Sequence, residues 1–504
     1  MAIMQLEEQR DRRAAWVLGA LVVLALVLRF WRLGDWSFQA TEMFTLRDSN
    51  APQWSNPRPL GYLLNYYFVR PFRPLDEFGL RLLPALFGVL AVPAFYLVAR
   101  RLASQRAALL GALLLTFSPL LLMYSQLARY WSLVFLLCTV YPFALYLGIR
   151  DRNPRALALG VVSGVLAALA HPVSILLGGG PLLWLAAAYL RPRHLRQLWQ
   201  RKSFRWGLLA ALLVLAVVAV RFVPILESWI ASHDKNVGRG QFLLRPPPAP
   251  GLKQILYLAA YVESLTVPVA LGAVVGIYLL WQEGHRTLAL FLTSLGLFPI
   301  AFITLVSLRT AISQYYLLPA TPVFFLGAGV LLDRLVSVDW RVRPRWLIPA
   351  TLVLIFLVAG APTLISDLRD GRRFDFKGVA GWLKPQLAAH DVVYSDQRMV
   401  LAYYLPGIDV QLLREPEPLE GSMRELAQAR QGGTLWIVAP APSHAFRTNL
   451  KGGGLANWIY KNCQLRHNRG VGRVDLRQQY LNVYRCPPLS RQVSAVGSLR
   501  PATP

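Results

Sequence analysis

A lone glutamate, Glu42, stands in the stretch WSFQATEMFTLRDS (36–49), directly after an apolar run that ends near Leu33. Asp48 follows it in the same stretch. A carboxylate placed there could take the proton of an attacking hydroxyl. Cations recur at comparable places further on. Arg58 precedes an aromatic segment in NPRPLGYLLNYY, and Arg81 lies just inside the next apolar run. Arg129 and Tyr130 are in FSPLLLMYSQLARYWSL, His171 is in LAHPVSILL, and Arg309 and Tyr315 are in SLRTAISQYYLLPATP. An acid and several cations at a membrane face suit a lipid-linked anionic substrate, because arginine offers phosphate a planar fork of donors. Plainer readings stand beside these. Glu42 also reads as a solvated helix-end acid, Arg129 as a snorkelling arginine in an aromatic belt, and His171 as a turn residue beside a proline.

The elements that must position these residues are membrane helices. The 504-residue chain is 55% hydrophobic and only 16% charged, against about 25% charged in soluble domains. Its mean hydropathy is +0.41. Apolar runs long enough for a bilayer core of about 30 Å recur near 14–33, 78–99, 105–123, 130–149, 156–171, 173–190, 206–229, 254–281, 287–307, 315–335 and 346–367. The expectation is therefore an all-α polytopic domain of about 11 transmembrane helices. The segment 59–72 is too short to span and reads as interfacial helix. The first apolar run lacks a small-residue cleavage site, so no cleavable signal peptide is expected.

The net charge is 53 − 26 = +27, and most of the excess sits in short loops between apolar runs. That pattern speaks for topology and anionic lipid and against nucleic acid. The basic loops put the N-terminus in the cytoplasm. The loop 34–76 and a lid-like, Gly- and Pro-rich loop, 231–252, then fall outside, with the C-terminal domain. After about residue 368 the composition changes. DVVYSDQ and GTLWIVAP read as strands, KGVAGWLKPQLA and SMRELAQAR as helices. A small extracytoplasmic α/β domain is expected over 369–487, with a disordered tail over 488–504. Cys463 and Cys486 flank what reads as a hairpin near Gly470, which makes them a disulfide candidate.

In order along the chain, WSFQATEMFTL, NPRPLGYLL, LRLLPALFGVLAVPAFYLVARRL, FSPLLLMYSQLARYWSL, LAHPVSIL and YYLLPATPVFFLGAG resemble the membrane glycosyltransferases of family 39. That group includes protein O-mannosyltransferases, lipid A aminoarabinose transferases and core galacturonosyl transferases. The resemblance covers about residues 14–335, and RFDFKGVAGWL is similar to the start of the tail in bacterial relatives. It implies a GT-C membrane domain over 1–368 in a bacterial plasma or inner membrane. It also implies a polyprenyl-phosphate sugar as donor and a glycan or protein hydroxyl as acceptor. By the resemblance, Glu42 and Asp48 are candidate catalytic acids, and Arg58, Arg81, Arg129, Tyr130, His171, Arg309 and Tyr315 candidate substrate-binding residues. No cofactor is implied; a divalent metal is open but not indicated. The family's first loop carries an adjacent Asp-Glu pair. Here Thr41-Glu42 stands in its place, and Thr cannot act as a base near neutral pH. That departure keeps a second reading open: a transport or accessory protein of lipid-linked glycan assembly that retains the fold.

Overall fold

The computed structural model describes residues 2–189, 256–307, 312–338, 347–371, 374–413, 419–442, 454–471 and 479–488. The expected span at 206–229, the loop 231–252, Arg309 and the tail beyond 488 lie outside the described residues. Two compact units emerge. The first is predominantly helical; the second comprises the short segment Trp36–Met43 and the chain from Asp370 onward.

In the first half of the chain the helices are α1 (Ala2–Phe30), α2 (Ala40–Asn50), α3 (Pro59–Leu64), α4 (Glu77–Ala99), α5 (Gln105–Thr116), α6 (Pro119–Ser125), α7 (Trp131–Arg150), α8 (Pro154–Ala170) and α9 (Leu176–Tyr189). A π-helical turn over Asn65–Val69 continues α3. Then come α10 (Leu256–Leu265), α11 (Val267–Gln282), α12 (Arg286–Ser307), α13 (Thr321–Ser337), α14 (Leu347–Val358) and α15 (Ala361–Asp370). Among the described residues, five unbroken helical stretches are long and apolar enough to cross a membrane, or up to eight spans if each bent pair is one.

Three runs that read as single spans are broken helices. The run 105–123 bends by 59° between α5 and α6. Pro119 has no N–H to continue the ladder and its ring crowds the carbonyl four residues back. Ser118 restarts the helix by accepting the Leu121 N–H at 3.4 Å. The run 254–281 bends by 88° at Thr266, whose φ of 77° ends α10, and 346–367 bends by 49° at Ala359–Gly360. Elsewhere small residues let backbones touch. A Cβ on Gly276 of α11 would lie 1.9 Å from the Gly327 carbonyl oxygen of α13.

The second unit carries β1 (Val392–Ser395), β2 (Val410–Leu412), β3 (Leu435–Pro442), β4 (Gln464–Val471) and β5 (Gln479–Cys486) in the order β2-β1-β3-β5-β4. The first three strands are parallel; β5 runs antiparallel to both of its neighbours. Helices α16 (Phe376–Leu383), α17 (Arg398–Tyr404), α18 (Leu419–Gly432) and α19 (Gly454–Asn462) accompany the sheet. Tyr394, Leu426, Ile437, Ile459 and Tyr484 form one of its cores. Cys463 and Cys486 are disulfide-bonded, with Cα atoms 4.1 Å apart. Gly470 is not in the turn: it pairs with Tyr480 inside the ladder.

Trp36–Met43 docks within this unit through specific bonds. The Phe38 N–H donates to the Tyr404 hydroxyl at 2.8 Å. The Lys377 N–H reaches Ser37 Oγ at 2.9 Å, and Phe38 is fully buried. Asp375 caps α16 by accepting the Gly378 N–H at 2.8 Å, and Arg469 pairs with it at 2.5 Å.

Asp396 follows β1, and one of its carboxylate oxygens has no partner among the described residues. Burial pushes its carboxyl up to about 7, against about 3.9 in an unfolded chain. Between those values the folded form holds a proton that the unfolded form has lost, so stability falls as pH rises. The urea midpoint of the second unit, followed by tryptic cleavage, should therefore drop between pH 4 and 7. Asp396→Asn should flatten that slope; an unchanged slope would refute the assignment.

Candidate functional site

The buried polar stripe of α2 is Glu42, Thr45 and Ser49, spaced at one and two turns. Thr41 is exposed and lies off that stripe. Glu42 accepts the Gln39 N–H at 2.8 Å, closing a capping box on the first turn of its own helix. Further along, Asn65 Nδ2 donates to Ser49 Oγ at 3.1 Å.

Within the first unit, side chains from three chain segments meet around one phenol. Arg58, at the N-cap of α3, donates a short hydrogen bond from Nη1 to the Tyr130 hydroxyl. Arg129 Nη2 donates to the same oxygen at 2.9 Å, and its Nη1 donates to Thr45 Oγ1 at 3.1 Å. Both guanidinium carbons also lie over the Tyr130 ring, at 5.3 and 4.7 Å from its centroid. Asn56 completes the arrangement. Its Oδ1 accepts the Arg58 backbone N–H at 3.0 Å and its Nδ2 donates to Asp48 Oδ2 at 3.3 Å. Asp48 also takes Arg47 at 2.9 Å. The result is a loop of contacts from Thr45 through Arg129, Tyr130, Arg58 and Asn56 to Asp48, one turn along α2 from its start.

A small cavity of about 20 Å³ opens on this loop, lined by Thr45, Tyr62, Asn65, Arg129 and Tyr130. Burial pushes the Tyr62 hydroxyl up from its usual value, Arg129 and Arg58 draw it down, and Asp48 adds to the rise. Tyr62 is thus a neutral donor near neutral pH. The wall continues in aromatic rings. His171 packs 5.0 Å from Tyr130 and 4.7 Å from Trp131, and Trp131 packs 4.8 Å from Tyr315. His171 Nδ1 accepts the Val173 N–H at 3.0 Å, which assigns the ring proton of the neutral form to Nε2.

The structure thus brings together Arg58, Arg129, Tyr130, His171, Tyr315 and Asp48. Arg81 is fully buried in α4 and donates to the Leu33 carbonyl at 3.1 Å, at the end of the first span. Sequence reasoning missed Thr45, Asn56, Tyr62 and Trp131. Tyr62 was accessible from its spacing, one turn beyond Arg58 in PRPLGY.

Residues 59–223 match the family model described as dolichyl-phosphate-mannose-protein mannosyltransferase. The chain is similar to the crystal structure of ArnT from Cupriavidus metallidurans in the apo state. The two are 15% identical, with a TM-score of 0.56 over 94% of this chain and 98% of that one. The same protein bound to undecaprenyl phosphate matches with a TM-score of 0.50 at 15% identity, over 93% and 98%. The archaeal oligosaccharyltransferase AglB from Archaeoglobus fulgidus, in complex with an inhibitory peptide and a dolichol-phosphate, gives 0.51 at 13% identity, over 90% and 73%. The fold is GT-C. No curated protein sequence matches the chain. In this GT-C chain the matched region begins at α3 and takes in Tyr62, Arg129, Tyr130 and His171.

Tyr130→Phe removes the acceptor shared by two guanidinium groups. A hydrogen bond to a charged group is worth about 1.5–3 kcal/mol, so α3 should loosen. Amide exchange over 56–62 should quicken at least tenfold in Tyr130→Phe; wild-type exchange there would show that the shared oxygen does not hold the loop.

Proposed function

We propose that this protein is an integral membrane glycosyltransferase. It moves a sugar from a polyprenyl-phosphate donor to an acceptor hydroxyl on the extracytoplasmic face of a bacterial inner membrane. The observation that carries the reading is the pair of guanidinium groups, Arg58 and Arg129, converging on Tyr130 beside a small cavity. Among the described residues Arg58 has no carboxylate within ion-pair distance, so it has charge to offer an anion. The likeness to ArnT and AglB structures solved with undecaprenyl phosphate and dolichol-phosphate supports a lipid phosphate as that anion.

The chemistry needs little else. The acceptor oxygen attacks C1 of the sugar while the C1–O bond to phosphate breaks, its electron pair leaving on the phosphate. Phosphate leaves as an anion without a proton, and arginines stabilise the charge that develops on it. The acceptor proton goes to one carboxylate, so a single inverting displacement needs one acid rather than a hydrolase's two. Asp48 belongs to the arginine loop; Glu42 lies on the buried stripe of the same helix. His171, through Nε2–H, and Tyr62 are donors for sugar hydroxyls or phosphate oxygens. Arg309 and Tyr315 extend the binding set. The other reading, a transport or accessory role, is favoured by Glu42 closing the capping box of α2 and by Thr41 in the position of the family's aspartate.

Transfer from a synthetic polyprenyl-phosphate sugar to extracted envelope glycan separates the two. Asp48→Asn or Glu42→Gln should lower turnover by about 10²–10⁴-fold, the usual loss of a general base, with lipid-phosphate binding retained. Gln keeps an acceptor for the Gln39 N–H, so a loss in Glu42→Gln reports chemistry rather than capping. Arg58→Ala should weaken lipid-phosphate binding as well. Wild-type turnover in both acid variants would end the transferase mechanism as written.

A further inference from the structure

We propose that Asn56 is a positioning residue for the reaction set out above: it holds the Asp48 carboxylate against Arg58, so that proton acceptor and phosphate-binding cation keep one separation. The inference rests on that transferase reading. Asn56 opens the sequence Asn56-Pro57-Arg58-Pro59. Neither proline has a backbone N–H, and each holds its φ at about −65°. Arg58 therefore carries the one backbone N–H between Asn56 and Leu60. Asn56 Oδ1 accepts it at 3.0 Å, an Asx turn closed two residues on. Pro59 then begins α3. The Asn56 N–H is itself held by the Gln53 carbonyl at 3.1 Å.

The other end of the amide reaches the acid. Asn56 Nδ2 donates to Asp48 Oδ2 at 3.3 Å. The amide is planar, and its partners assign its two ends: a backbone N–H requires the oxygen, a carboxylate requires the NH2. Asp48 is tied in a second way. Thr45, one turn earlier on α2, accepts from Arg129 Nη1 at 3.1 Å. The acid is thus placed against Arg129 through its own helix and against Arg58 through one side chain. Its side chain remains 19% exposed, as a proton acceptor for an incoming hydroxyl must be.

A turn alone does not call for an amide here. Aspartate closes an Asx turn as asparagine does. Asparagine adds a neutral donor toward Asp48. An aspartate in its place would set two carboxylate oxygens 3.3 Å apart, and like charges that close cannot both ionise. Among the described residues, the other groups facing Asp48 are Arg47, whose Nε lies 2.9 Å from Oδ1, and the Tyr62 phenol of α3, which Arg58 and Arg129 also face. Arg47 is exposed and belongs to α2, so it moves with the acid and gives it no reference to Arg58.

Asn56→Asp in the full-length protein tests this, with transfer from a synthetic polyprenyl-phosphate sugar followed over about pH 4 to 9. The variant keeps the turn, so thermal unfolding and lipid-phosphate binding should match wild type. The acidic limb of kcat/KM should move to higher pH by about one unit or more, because the carboxyl pair must lose a proton before the base is free. Asn56→Ala also frees the Arg58 N–H, and should lower lipid-phosphate affinity and kcat together. A wild-type pH profile in Asn56→Asp, beside lost turnover in Asp48→Asn, would overturn the positioning role and leave the transferase reading standing. Full turnover in Asp48→Asn with an inactive Glu42→Gln would overturn it too, by removing the acid that Asn56 positions. Wild-type turnover in both acid variants would end the transferase mechanism itself, and this role with it.

Discussion

Two positive charges held against one oxygen set the terms for the rest of the outer loop. Arg58 and Arg129 share one acceptor, and like charges so close repel each other, more strongly in a half-buried setting than in water. They stay because the phenol oxygen accepts from both and its ring face attracts both. Tyr130 must then be immobile, and the aromatic stack of His171, Trp131 and Tyr315 makes it so. The histidine in that stack is itself fixed by the Val173 N–H. Rigid, mutually repelling donors bind an incoming anion with little reorganisation. Arg58 is held at the start of α3 by its backbone N–H bond to Asn56 Oδ1.

Breaks in helices do the positioning. Pro119 marks the break between two helices, and Arg129 and Tyr130 lie on the short segment after α6. Where a break frees carbonyls, a buried side chain takes them: Arg29 at Leu115 and Thr116, and Gln126 at Leu28 and Trp31. Backbone polar groups in hydrocarbon must be satisfied within the protein, so each bend commits a polar residue nearby. The polar residues of this unit fall accordingly into those that repair backbone and those that face a cavity.

That division also marks what the sequence could yield. Arg58, Arg129, Tyr130, His171 and Tyr315 were legible because polar residues at the ends of apolar runs are few. Arg81 looked the same by that criterion, and the sequence could not show that it holds the Leu33 carbonyl after α1. The bends at Phe117, Thr266 and Gly360 were hidden because hydropathy is continuous through them. Thr45 and Asn56 were hidden because their roles depend on Arg129 and Asp48, which only the fold brings to them. In the second unit, short runs of β-branched and aromatic residues marked β1 and β3, whereas the bond from the Phe38 N–H to Tyr404 joins residues far apart in the chain.

Glu42 shows how one residue can serve both uses. Its carboxylate accepts the Gln39 N–H and so fixes the first turn of α2. A free glutamate carries three rotatable bonds and loses up to about 2 kcal/mol of rotamer entropy on ordering. Capping its own helix supplies that order locally, without any substrate. An oxygen ordered before the substrate arrives needs no further search to meet it, which is the advantage that orientation gives a catalytic group. Thr41 is exposed and lies off the buried polar stripe of α2. Replacing an aspartate at that position therefore removes a charge from the exposed side of α2 and leaves its buried polar stripe intact.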